Sequence, residues 1–212
     1  MKEIDATELR DQTLKEALTP AALAIKNGGL VVLPTTTFYG LAADALNADA
    51  VRRVYSAKRR DPAKPLIVLV DSFEMLKPIV ADVPPAVKEL EWRFGSKGLT
   101  YVLRSSGRLP DELTAGTATV AVRLDRNEIV QEILARVEQP ITAPSANIEG
   151  EPPPRTVDQA VASLRDWIDV AVRWWPAQTT VPSTIVDLTS AEPAIIREGT
   201  VPARAVLDSI SR

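Results

Sequence analysis

Leu30-Val31-Val32-Leu33-Pro34-Thr35-Thr36-Thr37-Phe38-Tyr39-Gly40-Leu41 is the stretch on which the fold turns. Four consecutive apolar residues ended by proline read as a short strand covered on both faces. Asn27-Gly28-Gly29 stops a helix just before it, and Thr19-Pro20 looks like that helix's N-cap and first residue. Three hydroxyls at the carboxyl end of a buried strand suit a ligand that needs several short hydrogen bonds. A turn whose Thr side chains cap neighbouring backbone groups is the plain alternative.

Outward from this stretch, helix and strand signals alternate. Helices are expected over 47–58, with Val51, Val54 and Tyr55 on one face, over 84–94, and over 128–137, where Ile129, Val130, Ile133, Leu134 and Val137 keep helical spacing. Thr156 and Gln159 form a capping box that opens a helix through Leu164, and a short helix follows Pro202. Strands are expected over 66–70, 99–103, 119–123, 140–143, 184–187 and 194–197. This alternation predicts an α/β fold, a twisted mixed β-sheet with helices packed on it, and a single domain over 1–212.

Composition limits the chemistry. The chain of 212 residues holds no Cys and no His, so disulfides, thiolate catalysis and imidazole bases are all excluded. A formal net charge of −3 gives no basic field for nucleic acid, so RNA contact is expected to be weak or local. No apolar run approaches the roughly 20 residues of a membrane span. MKEIDATELRDQ at the start is polar and acidic, unlike a signal peptide. Cytoplasmic location is the expectation.

Three further segments carry candidate groups. Lys58, Arg59, Arg60 and Lys64 leave a helix end, either as a solvated terminus favoured by the helix dipole or as a polyphosphate clamp. Ser145 and Asn147 sit two apart in a stiff turn after Ile141-Thr142-Ala143-Pro144. Arg123 and Arg197 each end an apolar strand, positions that fit either a solvent-reaching side chain or an anchor for carboxylate or phosphate.

Taken in order, PTTTFYGLAADAL, AKRRDPAKPLIVLV, TAGTATVAVR, PITAPSANIEGEPPPRT, PSTIVDLT and IIREG resemble the YrdC-like family of threonylcarbamoyl-AMP synthases, over roughly residues 15–200. The resemblance implies a YrdC-like fold with a large concave surface. It also implies formation of threonylcarbamoyl-AMP and pyrophosphate from L-threonine, bicarbonate and ATP, the first step of N6-threonylcarbamoyladenosine modification of tRNA. Lys58, Arg60, Ser145 and Asn147 would carry the family's paired signature. Thr35, Arg123, Ala143 and Ser183 would contact threonine. Arg60, Lys64, Thr119, Ser145 and Arg197, with Lys58, would face ATP. Mg²⁺ would arrive with ATP, no tightly bound cofactor is implied, and separate transferase proteins would take the product. A paralogue that binds nucleotide or RNA without making the adenylate is the alternative. Departures from the family pattern include Thr36 in place of an acid, Lys64, Asp61, Leu69, the Phe94–Gly98 segment and Asp125-Arg126-Asn127.

Overall fold

A computed structural model describes residues 1–177 and 179–210. In chain order the elements are β1 (Lys2–Asp5), α1 (Asp11–Lys26), β2 (Val31–Pro34), β3 (Tyr39–Ala42), α2 (Ala48–Lys58), β4 (Ile67–Val70), α3 (Phe73–Leu76), α4 (Pro85–Phe94), β5 (Leu99–Arg104), α5 (Asp111–Thr114), β6 (Thr119–Leu124), α6 (Glu128–Val137), β7 (Ile141–Thr142), α7 (Val157–Leu164), β8 (Val170–Arg173), β9 (Thr184–Asp187), β10 (Ala194–Arg197) and α8 (Ala203–Ile210). The strands form two mixed sheets, not one. Their orders are β1-β8-β2-β3 and β10-β9-β5-β6-β4-β7.

The second sheet arises because the hydroxyl-rich stretch is a hairpin turn. β3 folds back antiparallel on β2, in register from Pro34↔Tyr39 to Val31↔Ala42. Thr35 closes the turn, its backbone N–H and its hydroxyl both donating to Phe38 O, at 3.2 and 2.7 Å. On the other side of β2 lies β8, parallel to it, and β8 in turn pairs with the N-terminal strand β1.

Helix α1 corrects the expected start at Thr19-Pro20. It begins at Asp11, and Pro20 lies within it. An interior proline costs a helix about 3 kcal/mol. Leu14, Leu18, Ala21, Ala22 and Ile25 form one buried face of this helix, which packs on α6. Burying several such side chains, at about 1.5–3 kcal/mol for each large one, outweighs that cost.

Two apolar cores explain the strand patterns. Leu30 and Val32 face one core while Val31 and Leu33 face the other, so the unbroken apolar run serves a sheet covered on both sides. In the six-stranded sheet, Val68, Val70, Tyr101, Leu103, Val120, Val122 and Val186 point into the first core. The residues between them on β4, β5, β6 and β9 point the opposite way, and that face is not roofed by a helix where the cavity described below opens. The two sheets meet at isolated bridges between Gly40 and Ser145 and between Asp44 and Ile141. Backbone bonds run from Leu41 N to Pro144 O (2.9 Å), Ala146 N to Tyr39 O (2.9 Å) and Tyr39 N to Pro154 O (3.0 Å). Gly40 permits this approach, since a Cβ there would stand 3.2 Å from Thr35 Cγ2 and 3.4 Å from Ala143 Cβ.

Candidate active site

A cavity of about 410 Å³ opens on the unroofed face of the six-stranded sheet, a volume typical of small-molecule sites. Its floor is apolar. Ile67, Ala121 and Val102 lie side by side across β4, β6 and β5, and Ile185 of β9 continues the surface. The walls come from well-separated parts of the chain and set polar groups among apolar ones such as Phe38, Pro144, Pro153 and Ile196. Thr35, Arg60, Arg123, Ala143, Ser145, Ser183 and Arg197, all singled out in the sequence, line it together.

Arg123 is 3 % exposed although it was expected at the rim of the sheet. Its Nη1 donates to Thr37 Oγ1 at 3.0 Å, and its Nη2 pairs with Asp125 Oδ2 at 2.8 Å. Its Nε is buried without a hydrogen-bond partner. Across the cavity Arg197 donates to Ser183 O from Nε (3.2 Å) and Nη2 (2.9 Å), and from Nη2 to Ser183 Oγ (3.2 Å). Thr100 Oγ1 stands 2.9 Å from Ser183 Oγ. Burial, and then the charge of Arg123, lowers the Arg197 pKa below its usual value. Two guanidiniums sharing one hollow repel each other, and an anion between them removes that repulsion.

The 58–60 and 145–147 segments adjoin one another on the same side of the sheet. Lys58 is 2 % exposed and points inward, with its Nζ donating to Asn147 O at 2.7 Å and also to Ser145 O. Glu149 N donates back to Lys58 O at 2.8 Å. Burial first, and the charge of Arg60 second, push the Lys58 ammonium down to about 8. Arg60, at the cavity wall, is fixed by bonds from Nε to Lys64 O (3.1 Å) and from Nη2 to Pro65 O (3.0 Å).

The remaining candidates lie outside the cavity. Lys64 Nζ pairs with Glu149 Oε1 at 2.8 Å. Asn147 donates through Nδ2 to Ile148 O (2.9 Å) and Glu151 O (2.8 Å), its Oδ1 is buried without a partner, and it borders a separate depression beside Pro152–Pro154. Thr119 heads β6, where its hydroxyl is 3.1 Å from Thr117 Oγ1. Strand alternation puts it on the face of Ala121 and Arg123, beyond the cavity's lining. Among the described residues no group of three or more His, Cys, Asp or Glu side chains gathers as a metal site. No helix among them is long and apolar enough to cross a membrane.

Thr37, already marked among the three hydroxyls after β2, belongs to the site's polar framework together with Thr100 and Asp125, which were not singled out as site residues. For these two a local signal existed. Thr100 alternates with Val102 on one face of β5, and Asp125 follows Arg123 at the strand end, where a carboxylate two residues on can reach a guanidinium.

Comparison with known proteins places these elements in a family. The Sua5/YciO/YrdC family model, described as "Telomere recombination", matches residues 23–199. A threonylcarbamoyl-AMP synthase of Pyrococcus abyssi is 38 % identical over 186 residues, covering 88 % of this chain and 55 % of the relative. One from Vibrio cholerae serotype O1 is 30 % identical over 188 residues, covering 88 % of this chain and 99 % of the relative. The crystal structure of P. abyssi Sua5 complexed with L-threonine matches with a TM-score of 0.93 at 35 % identity, over 99 % of this chain and 61 % of that one. The chain therefore spans about half the length of the Pyrococcus relative and almost all of the Vibrio one. The matched segment runs through every strand that builds the cavity, and by that match the chain belongs to the Sua5/YciO/YrdC family.

Proposed function

We propose that this cavity forms threonylcarbamoyl-AMP and pyrophosphate from L-threonine, bicarbonate and ATP. One observation carries the reading: Arg60, Arg123 and Arg197 converge with the hydroxyls of Thr35, Ser145 and Ser183 on one hollow with an apolar floor. That set suits two anionic reactants that must be held against their mutual repulsion. Relatives named threonylcarbamoyl-AMP synthase support the choice of reaction, and the P. abyssi Sua5 structure complexed with L-threonine supports the choice of amino acid.

In this reading the threonine nitrogen and bicarbonate give a carbamate with loss of water. A carbamate oxygen attacks the α-phosphorus of ATP, the bond to the bridging oxygen breaks, and pyrophosphate leaves. No side-chain nucleophile is needed, in keeping with a chain without His or Cys. Arg123 forks the threonine carboxylate, with Thr35, Ser183 and the Ala143 backbone around the rest of the amino acid. Arg60, Ser145 and Arg197 face the nucleotide, Lys64 and Thr119 lie toward its outer end, and Lys58 and Asn147 hold the 145–147 turn in shape. Mg²⁺ enters with ATP, the product passes to separate transferase proteins in the cytoplasm, and any contact with tRNA is weak.

Incubation with ATP, Mg²⁺, bicarbonate and threonine should yield threonylcarbamoyl-AMP by mass, and neither omission of threonine nor replacement by serine should match it. Absence of that product from well-folded protein overturns the reading. Arg60→Ala should abolish pyrophosphate release with the fold intact, and turnover at the wild-type rate would remove Arg60 from the clamp.

A further inference from the structure

We propose that Asp125 is a positioning residue that locks Arg123 and the 35–37 turn into one geometry for the amino-acid substrate. The proposal rests on the function proposed above and names a group that this reading does not use.

Asp125 is 1 % exposed, and its carboxylate is fully engaged. Oδ1 accepts from Thr36 Oγ1 at 2.8 Å, from Asn127 N at 2.9 Å and from Thr36 N at 3.2 Å. Oδ2 accepts from Thr36 N at 3.2 Å and pairs with Arg123 Nη2 at 2.8 Å. Three of these contacts reach Thr36, which is 89 residues away in the chain. Thr36 sits between Thr35 and Thr37, both of which line the cavity.

The result is a closed loop of contacts. Asp125 grips one guanidinium nitrogen of Arg123 and the backbone of Thr36, while Thr37 grips the other guanidinium nitrogen. A guanidinium held at both terminal nitrogens cannot rotate, so the direction of its buried, unpartnered Nε–H is fixed. A carboxylate can pair with a guanidinium through Nε and one terminal nitrogen or through both terminal nitrogens, so a fixed orientation decides which N–H groups the substrate meets. A carboxylate this deeply buried is costly unless partnered. Here its partners tie the end of β6 to the β2–β3 turn, the two elements that supply Arg123 and Thr35. Simple charge balance for Arg123 needs no link to Thr36.

Two variants test the assignment, Asp125→Asn and Thr36→Val, assayed as full-length protein for threonylcarbamoyl-AMP with threonine and ATP varied separately. Asp125→Asn should raise the threonine KM about tenfold or more, and Thr36→Val, which keeps the ion pair and removes one hydrogen bond, about threefold, with the ATP KM within about twofold of wild type in both. A structural defect alone would move both KM values or the amount of active protein instead. Should Asp125→Asn fail to fold, Thr36→Val decides. An active wild type whose threonine KM is unchanged in Thr36→Val, or in a folded Asp125→Asn, overturns the positioning role and leaves the proposed function standing. An inactive wild type overturns both.

Discussion

Replacing Lys58 by methionine should remove most of the rise in stability that the wild type shows between pH 7 and 9.5. In the folded chain its ammonium titrates near 8, against an ordinary value of 10.5, chiefly because burial disfavours the charge and secondarily because Arg60 repels it. Glu149 and Glu151 pull weakly the other way. Between those two values the unfolded chain holds a proton that the folded chain has shed, so stability increases with pH. The full displacement corresponds to about 3 kcal/mol, of which linkage releases about 2 kcal/mol between pH 7 and 9.5. Methionine relieves the cost of the buried charge at pH 7 but strips the Ser145 and Asn147 carbonyls of their donor, a loss of about 1–3 kcal/mol for each. These effects nearly cancel, so stability at one pH decides nothing and the slope decides. A neutral amine keeps two N–H donors, one for each carbonyl, so losing the proton does not break the tie. Urea unfolding of both proteins across this range should show the variant falling behind wild type by about 2 kcal/mol as pH rises. The comparison also subtracts Tyr39, Tyr55 and Tyr101, whose hydroxyls are pushed up by burial and act in the opposite sense at the alkaline end. A difference constant to about 0.5 kcal/mol would refute the reasoning.

Gly199→Ala should destabilise by about 1–3 kcal/mol, because its Cβ would stand 2.6 Å from Ser183 C and force the 182–183 backbone aside; an unchanged thermal midpoint would show that this backbone yields freely. Tyr101→Phe removes the hydroxyl that donates to Glu91 Oε1 at 2.8 Å, on the face of β5 opposite Thr100 and Val102 of the cavity lining. Leaving that buried carboxyl one donor short should cost about 1–3 kcal/mol in chemical denaturation, and full stability would mean that water replaces the donor. Glu149→Gln frees Lys64 and Arg60 from a competing anion and should lower the ATP KM about threefold; a KM that rises would make Glu149 a support for the clamp rather than its competitor.

Elements whose signals are local were legible in the sequence. Asn47 caps α2 by accepting from Asp49 N (3.0 Å) and Ala50 N (3.2 Å), the Thr156–Gln159 box opens α7, and α6 buries the five residues its period marks. What stayed hidden depends on distant partners. Lys2–Asp5 is polar and becomes strand β1 because Val170–Arg173 lies beside it. Tyr39–Ala42 begins after a turn and contains Gly40, which reads as a breaker until the close approach of Ala143 is known. The site divides in the same way. Residue type and a position at the end of a strand or helix marked Arg60, Arg123, Ser145 and Arg197, whereas the inward turn of Lys58 and the pairing of Glu149 with Lys64 follow from side-chain direction, which spacing does not encode.

The backbone bonds that Leu41 and Ala146 make across the junction of the two sheets have a consequence for motion. Because residues 144–146 are stitched to β3 while β7, just before them, belongs to the other sheet, this turn cannot fray by itself. Exchange of these two amides with deuterated solvent should therefore be as slow as in the innermost strands, requiring separation of the whole seam. Any rearrangement on ligand entry should fall instead on the neighbouring irregular stretch between α2 and β4, which carries Arg60 and Lys64.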